Sequence, residues 1–517
     1  MERRALGLPR WGLALIVATA VLAWFGAGEA ARRVRAAQIP ALELAAALPS
    51  THAAISDADR EARRAPSGDT VGALAMAYHA SQQPAAAEAA YVVAEALAPR
   101  EWRWTYQRAL LLAERGDAAG ARAAFERVLA EVPSHGLTWF YLGETAFKEG
   151  RLDDALAAYT HARDAVAEPA FTPPAVSARH TVPLSAYART AIARIALERG
   201  QAEVAERELR PAVDAYPSFG QARALLREVA RARGTAVAPR RAGESSYVPP
   251  ADPRLDAVVA ASQHPDLLLK HAGLATRGGD AAWREFLVRR ALAAAPSDLN
   301  VLMEMSAMLQ SQRQLTEALA YLERHETLAP DDHHGLVQQG KVLADLGRFA
   351  DAERVLRRAV AVRDTTAEFN LGTVLDQQGR WDEARTRYER ALALDPFNTS
   401  AMNNLAAGLD RRGQTALALP LFERALAIAP DNADYYVNYG TALVQARRVD
   451  EAIGALMTAI ELAPRSANAH NNLGIALARQ GDLVKARDAF ARALEIDPRH
   501  EGARGNLDQV SRALTAR

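Results

Sequence analysis

The sequence contains no cysteine. That absence excludes disulfides, thiolate zinc sites, thiol nucleophiles and covalent c-type haem attachment, although it identifies no compartment. Aromatic residues are scarce, at 6% of the chain, while apolar residues make up 50% with alanine dominant among them. The balance suits close-packed helices better than sheets, and an all-α fold is predicted. An excess of one charge is also missing, since Lys plus Arg (62) equals Asp plus Glu (62). No global field draws in nucleic acid or anionic surfaces, and nucleic acid is not an expected partner. The phosphate-cradling glycine loop, the HExxH motif and the nucleophile elbow are absent too, so no catalytic residue, metal, cofactor or small-molecule substrate is expected.

A chain of 517 residues is too long for one hydrophobic core and requires several domains or a stacked array. One long apolar run stands near the amino terminus: Trp11 to Ala27, WGLALIVATAVLAWFGA, seventeen uncharged residues at the lower limit for a bilayer-spanning helix. Arg3, Arg4 and Arg10 precede it and Arg32, Arg33 and Arg35 follow, so the flanking positive charges do not by themselves set orientation. A short basic lead normally stays inside. The prediction is a basic tail (1–10) and one transmembrane signal-anchor (11–31), single-pass in the inner membrane, with the remainder on the periplasmic side. A cleavable signal peptide is the competing reading, because Gly28-Glu29-Ala30 puts small residues where a signal peptidase requires them.

Beyond this run the chain repeats itself every 34 residues. Ala384, Ala418, Ala452 and Ala486 share one position; Ala391, Ala425, Ala459 and Ala493 another; Pro396, Pro430, Pro464 and Pro498 a third. Gly372, Ala406, Gly440 and Gly474 keep the same step, as do Tyr388, Phe422, Leu456 and Phe490. Small residues let two antiparallel helices approach closely, the large residue fills the gap, and proline stops the second helix. Gly379, Gly413 and Gly481 fall at the turn between the helices.

These residues resemble the tetratricopeptide-repeat (TPR) family, with a small residue near position 8, Ala at 20 and 27, an aromatic near 24 and Pro at 32. The resemblance implies a right-handed superhelical solenoid of antiparallel helix pairs whose concave face is lined by the first helix of each pair. It also implies an adaptor that holds peptides or partner subunits. It covers about residues 68 to 515, strongly after His333. The expected organisation is a helical connector (36–65), a degenerate block of about four repeats (68–232) broken by a proline-rich loop (169–183), a linker (233–253), an array of about seven repeats (254–498) and a capping helix (499–517). The repeat holding Gly340, Ala352 and Ala359 spans only 32 residues and lacks the terminal proline, so a local change of pitch is expected there.

Position 6 of each strong repeat is asparagine: Asn370, Asn404, Asn438, Asn472 and, in the capping helix, Asn506, with Gln338 one repeat earlier. Position 6 faces the groove in the TPR family, so these amides form a ladder able to donate to and accept from an extended backbone. The pattern is similar to the asparagine ladder in the TPR region of O-linked N-acetylglucosamine transferases, whose glycosyltransferase domain has no counterpart in the sequence. Local hydrogen bonding, common for asparagine at this position in TPR repeats, is the other reading of the same residues. Further groove candidates are Asn403 and Asn471 at position 5 and Thr366, Ser400, Asp434 and Asn468 at position 2. His333-His334 lacks companion ligands, and Trp102 with Trp104 suits packing between early repeats better than a partner patch.

The function expected is a membrane-anchored, non-enzymatic scaffold whose partners are proteins or extended peptides. Alternatives are an assembly or export factor of an envelope complex, serving polysaccharide export or cytochrome maturation, and a transferase with an unrecognised catalytic segment in 36–260. A folded non-repeat core there favours the transferase; continued helix pairs favour the scaffold.

Overall fold

The computed structural model describes residues 47–165, 182–217, 219–234, 248–362 and 364–515, with isolated positions between 30 and 44. The predicted basic tail, nearly all of the predicted membrane span (11–31), the loop up to residue 181 and residues 235–247 of the predicted linker lie outside them. Among the described residues no helix is long and apolar enough to cross a membrane. They contain 26 α-helices and no strand.

The described chain forms two compact units that divide after Pro296. In the first, α1 (Pro49–Arg64) leads into four helix pairs: α2 (Gly68–Ala80) with α3 (Pro84–Leu97), α4 (Trp102–Glu114) with α5 (Ala118–Glu131), α6 (Gly136–Lys148) with α7 (Leu152–Asp164), and α8 (Leu184–Glu198) with α9 (Ala202–Ala215). A single helix α10 (Gly220–Ala232), a short α11 (Pro253–Ala261) and the pair α12 (Pro265–Gly278) and α13 (Ala281–Ala294) complete it. The second unit pairs α14 (Leu299–Ser311) with α15 (Leu315–Leu328), α16 (His333–Asp345) with α17 (Phe349–Ala359), α18 (Thr365–Gln377) with α19 (Trp381–Leu394), α20 (Thr399–Asp410) with α21 (Thr415–Ile428), α22 (Ala433–Gln445) with α23 (Val449–Leu462), and α24 (Ala467–Gln480) with α25 (Leu483–Ile496). The last helix is α26 (Glu501–Thr515).

Local chemistry explains where each helix starts and stops. First helices of the second unit begin behind Asp298, Asp332, Asp364, Asn398, Asn432 and Ser466, each of whose side chains accepts a backbone N–H of the first turn. Such a cap contributes about 1 kcal/mol. The turn into the second helix is closed by main chain instead: Arg380 N–H donates to Leu375 C=O at 2.9 Å while Gly379 takes φ +76°. Where glycine is missing from this turn, Arg447 adopts the same left-handed backbone with φ +61°.

Packing follows the repeat chemistry. Ala384, Ala391, Ala418, Ala425, Ala452, Ala459, Ala486 and Ala493 are completely buried, so the paired helices meet on methyl groups. A Cβ at Gly474 would lie 2.5 Å from the Phe490 ring, which leaves room for nothing larger than glycine. In the 32-residue repeat, α17 is shortened and tightens into a 3-10 turn at Val360–Val362.

Two expectations differ from the structure in detail. The connector predicted over 36–65 is continuously helical only from Pro49, and Ile39 ahead of it joins the apolar cluster of Ile55 and Ala62. The boundary expected at 233–253 does not coincide with the division after Pro296, because from Val248 onward the chain is buried against the first unit.

Candidate functional site

In the second unit, the first helices of neighbouring pairs touch from α16 through α26 and form one face. Gln338, Asn370, Asn404, Asn438, Asn472 and Asn506 are all half-buried there. Asn403 and Asn471 are only 7% exposed and bridge neighbouring repeats rather than fronting solvent. Asn438 Nδ2 donates to Asn403 Oδ1 at 3.0 Å, and Asn403 Nδ2 donates to Asn404 Oδ1 at 3.1 Å. Two repeats later Asn506 Nδ2 donates to Asn471 Oδ1, and Asn471 Nδ2 to Asn472 Oδ1, both at 3.0 Å. Val437 holds position 5 between these doublets and offers no side-chain acceptor. Asn472 Nδ2 therefore donates to Thr441 Oγ1 at 3.0 Å.

Asn403, Asn471 and Asn472 thus engage both amide nitrogen and amide oxygen inside the array. Asn370 and Gln338 make no side-chain hydrogen bond among the described residues. Gln338 borders a concavity of about 370 Å³ that Gln310, Ser311, Lys341 and Asp345 also line. At position 2, Ser400 Oγ lies 3.2 Å from Tyr435 Oη and Asn468 Oδ1 accepts from His500 Nε2 at 3.0 Å, while Thr366 and Asp434 are exposed. Of the carboxylates on these helices, Asp376 pairs with Arg411 at 2.6 Å and Glu368 with Arg387 at 3.0 Å, and Asp410 accepts from the neutral Gln445 at 3.0 Å. Such a surface suits neutral extended backbone better than a phosphate. His333 and His334 lie side by side at the start of α16, their ring centroids 3.9 Å apart.

In the first unit the equivalent face is already covered, by the chain itself. Val248 N–H donates to Gln221 Oε1 on α10 at 3.1 Å. Tyr106 Oη on α4 donates to Asp252 Oδ2 at 2.7 Å, and the neighbouring Gln107 Nε2 donates to the Arg254 carbonyl at 3.2 Å. The Arg254 guanidinium lies 4.4 Å from the Trp102 ring centroid, and Leu255 packs against the cluster of Tyr106 and Phe125. At the far end Ser262 Oγ donates to the Ala80 carbonyl at 2.6 Å, at the close of α2. Asp252 is 2% exposed, and burial holds its carboxyl above the usual range against the opposing hydrogen bonds of Tyr106 and the Leu255 and Arg254 amides.

The repeat register gives these contacts their meaning. Ala109 stands 34 residues before Gly143, the position-8 residue of its pair, which puts Gln107 at position 6 and Tyr106 at position 5. Counting on from Ala205 at position 20 puts Gln221 at position 2 of the following repeat. Positions 2 and 6 of the first unit therefore hold a backbone N–H and a backbone carbonyl of an adjoining segment. Composition hid this segment, since the proline- and glycine-rich stretch reads as a linker. Its one visible signal is Asp252-Pro253, a helix cap followed by proline at the first helical position.

Trp104 is buried under Gly72, whereas Trp102 serves the contact with Arg254. A second polar cluster lies deeper: His79 Nε2 is 3.3 Å from Glu114 Oε2, and its Nδ1 is 3.4 Å from Tyr91 Oη. Burial pushes the Glu114 carboxyl up, but His79, Lys270 and His271 outweigh it and hold the group below the usual range. Burial raises the Tyr91 hydroxyl far above its ordinary value. From Gly68 to Ala215 the described residues form four helix pairs, the condition that favours the scaffold over the transferase alternative.

Family comparison agrees with the architecture. One model described as "Tetratricopeptide repeat" matches residues 73–136, 106–168 and 438–501, and a second of the same description matches 336–396 and 364–431. No curated protein matches the chain. Among solved structures it is similar to the APC/C hetero-tetramer Cut9–Hcn1, at 14% identity over 89% of this chain and 93% of that one, with a TM-score of 0.44. It is also similar to a tetratricopeptide repeat protein from Parabacteroides merdae, at 15% identity over 48% of this chain and 98% of that one, TM-score 0.39. A third, YrrB, is a TPR protein with an unusual peptide-binding site; it shares 22% identity over 42% of this chain and 95% of that one, TM-score 0.26. With repeat models matched at 73–168 in the first unit and at 336–431 and 438–501 in the second, and with helix pairs at those places, both units carry tetratricopeptide repeats.

Proposed function

We propose that the protein is a non-enzymatic scaffold that holds extended segments of other proteins on the first-helix face of its second unit, and that residues 11–31 anchor it in the inner membrane with the repeats on the periplasmic side. One observation carries the binding reading: Gln107, at position 6, donates to the Arg254 carbonyl, which is the contact the asparagines at position 6 would make to a partner. Asn370 and Gln338 retain their full hydrogen-bonding capacity for that purpose, and Asn438 and Asn506 keep their amide oxygens. A few net hydrogen bonds of about 1 kcal/mol each, less the cost of ordering a peptide, give weak to moderate binding unless side-chain pockets add to it.

The test is affinity capture of the full chain extracted from membranes, comparing wild type with the double variant Gln338→Ala and Asn370→Ala, neither of which disturbs an internal bond. Partners depleted from the variant support the groove; an identical partner set refutes it. For the anchor, a periplasm-active reporter fused to the carboxy terminus is expected to be active, and activity of a cytoplasm-only reporter would reverse the orientation.

A further inference from the structure

The segment from Val248 to Leu255 lies on the first-unit face where a bound peptide would lie, held by the helices that would hold one. Its polar grip is divided between two helices: Gln221 on α10 takes the Val248 N–H, and on α4 Tyr106 takes the Asp252 carboxylate and Gln107 the Arg254 carbonyl, while Leu255 and the fully buried Val258 and Val259 of α11 add apolar contacts that leave with it. The carboxy-terminal end is fastened differently. Arg290 donates to the carbonyls of Ser262 and Ala261 at 2.7 and 3.1 Å, and Ser262 is bound to the Ala80 carbonyl, so a natural pivot falls at Ala261–Ser262. On the other side, thirteen residues separate Gly234 from Val248, a length that spans up to about 45 Å when extended. The segment can therefore leave the face without unfolding α10.

We propose that Val248–Leu255 is a resident ligand of the first unit: it occupies the first-helix face in cis, and that face receives a partner segment carrying the same Asp-Pro-Arg-Leu order only by displacing it. The partner chemistry follows from the contacts. An acidic side chain meets the Tyr106 hydroxyl, a basic one covers the Trp102 ring, proline between them starts a helix, and an apolar residue enters the Tyr106–Phe125 cluster. A tethered ligand competes at an effective concentration on the order of 1 mM, so a partner in trans must bind better than the resident copy or be abundant locally. The inference stands apart from the second-unit groove, because it concerns a different face.

The absence of cysteine makes the test direct, since one introduced thiol is the sole thiol. Val248 is 4% exposed and is held through its main-chain N–H, so Val248→Cys in the full chain keeps the contact and reports on release. The expected result is slow maleimide labelling compared with a thiol at Phe397→Cys, a position 72% exposed. A synthetic peptide of residues 247–258 at about 1 mM should accelerate it about tenfold, whereas the peptide with Asp252→Ala and Arg254→Ala should not. Adding Tyr106→Phe, which removes only a hydroxyl, should accelerate labelling about tenfold without peptide. Labelling as fast as at the exposed control would show that the segment is not seated. A rate unmoved by the wild-type peptide would make it a fixed part of the fold. Either outcome overturns the proposal.

Discussion

Asn438 donates its side-chain N–H to Asn403 one repeat earlier at 3.0 Å, and Asn506 does the same to Asn471. Successive helix pairs are 34 residues apart, but this amide relay recurs only every second pair, because Val437 interrupts it. The same amides thus tie repeats together and present their remaining valences on the shared face. Position 5 serves mainly the first task and position 6 both.

That division predicts opposite behaviour for two asparagines. Asn403→Ala removes two internal bonds at a buried site and should destabilise the second unit by about 1–2 kcal/mol. Asn370→Ala removes none and should change stability by less than about 0.5 kcal/mol. Denaturant midpoints of the full chain, followed by helical circular dichroism, distinguish them; equal shifts would refute the assignment.

At the turn before α23, Arg447 bears the left-handed backbone that Gly379 and Gly413 bear in the two preceding pairs. Arg447→Gly relieves that strain and should stabilise the second unit by about 0.5–1 kcal/mol. A lower denaturant midpoint would contradict this.

Close approach of α24 and α25 depends on Gly474. In Gly474→Ala the new methyl would meet Phe490 at 2.5 Å, and a loss of about 1–3 kcal/mol is expected, measured as a lower melting temperature. An unchanged melting temperature would show that the helices separate at little cost.

Acid should weaken the first unit through Glu114. Its carboxyl, facing His79, Tyr91, Lys270 and His271, is held below the ordinary value of 4.5. A group with a lowered folded value contributes stability above its unfolded value, and that stability is lost as pH falls through the folded one. The melting temperature should therefore fall below about pH 4.5, and Glu114→Gln should flatten part of the slope. Identical pH profiles for the two proteins would exclude this role.

The helix pairs were legible because alanine, glycine and proline recur at positions where sterics leave few choices, as at Ala384 or Gly474. The asparagine doublets were visible as residues, but their mutual bonds were not, since a side chain's partner depends on the neighbouring repeat. Gln107 was hidden for a related reason: the weak early register concealed that it shares position 6 with Asn370. The seat of Val248–Leu255 was least legible, because composition describes how a segment behaves alone and not the face it meets.

The most direct test of the central claim is photo-crosslinking from the first-helix face. A photoreactive amino acid at Thr366, exposed at position 2 of α18 beside Asn370, should capture protein partners in the full chain, and Asn370→Ala should reduce that capture about tenfold. Equal crosslinking with and without Asn370, or capture confined to a probe at the exposed Phe397 between repeats, would contradict a peptide-holding groove.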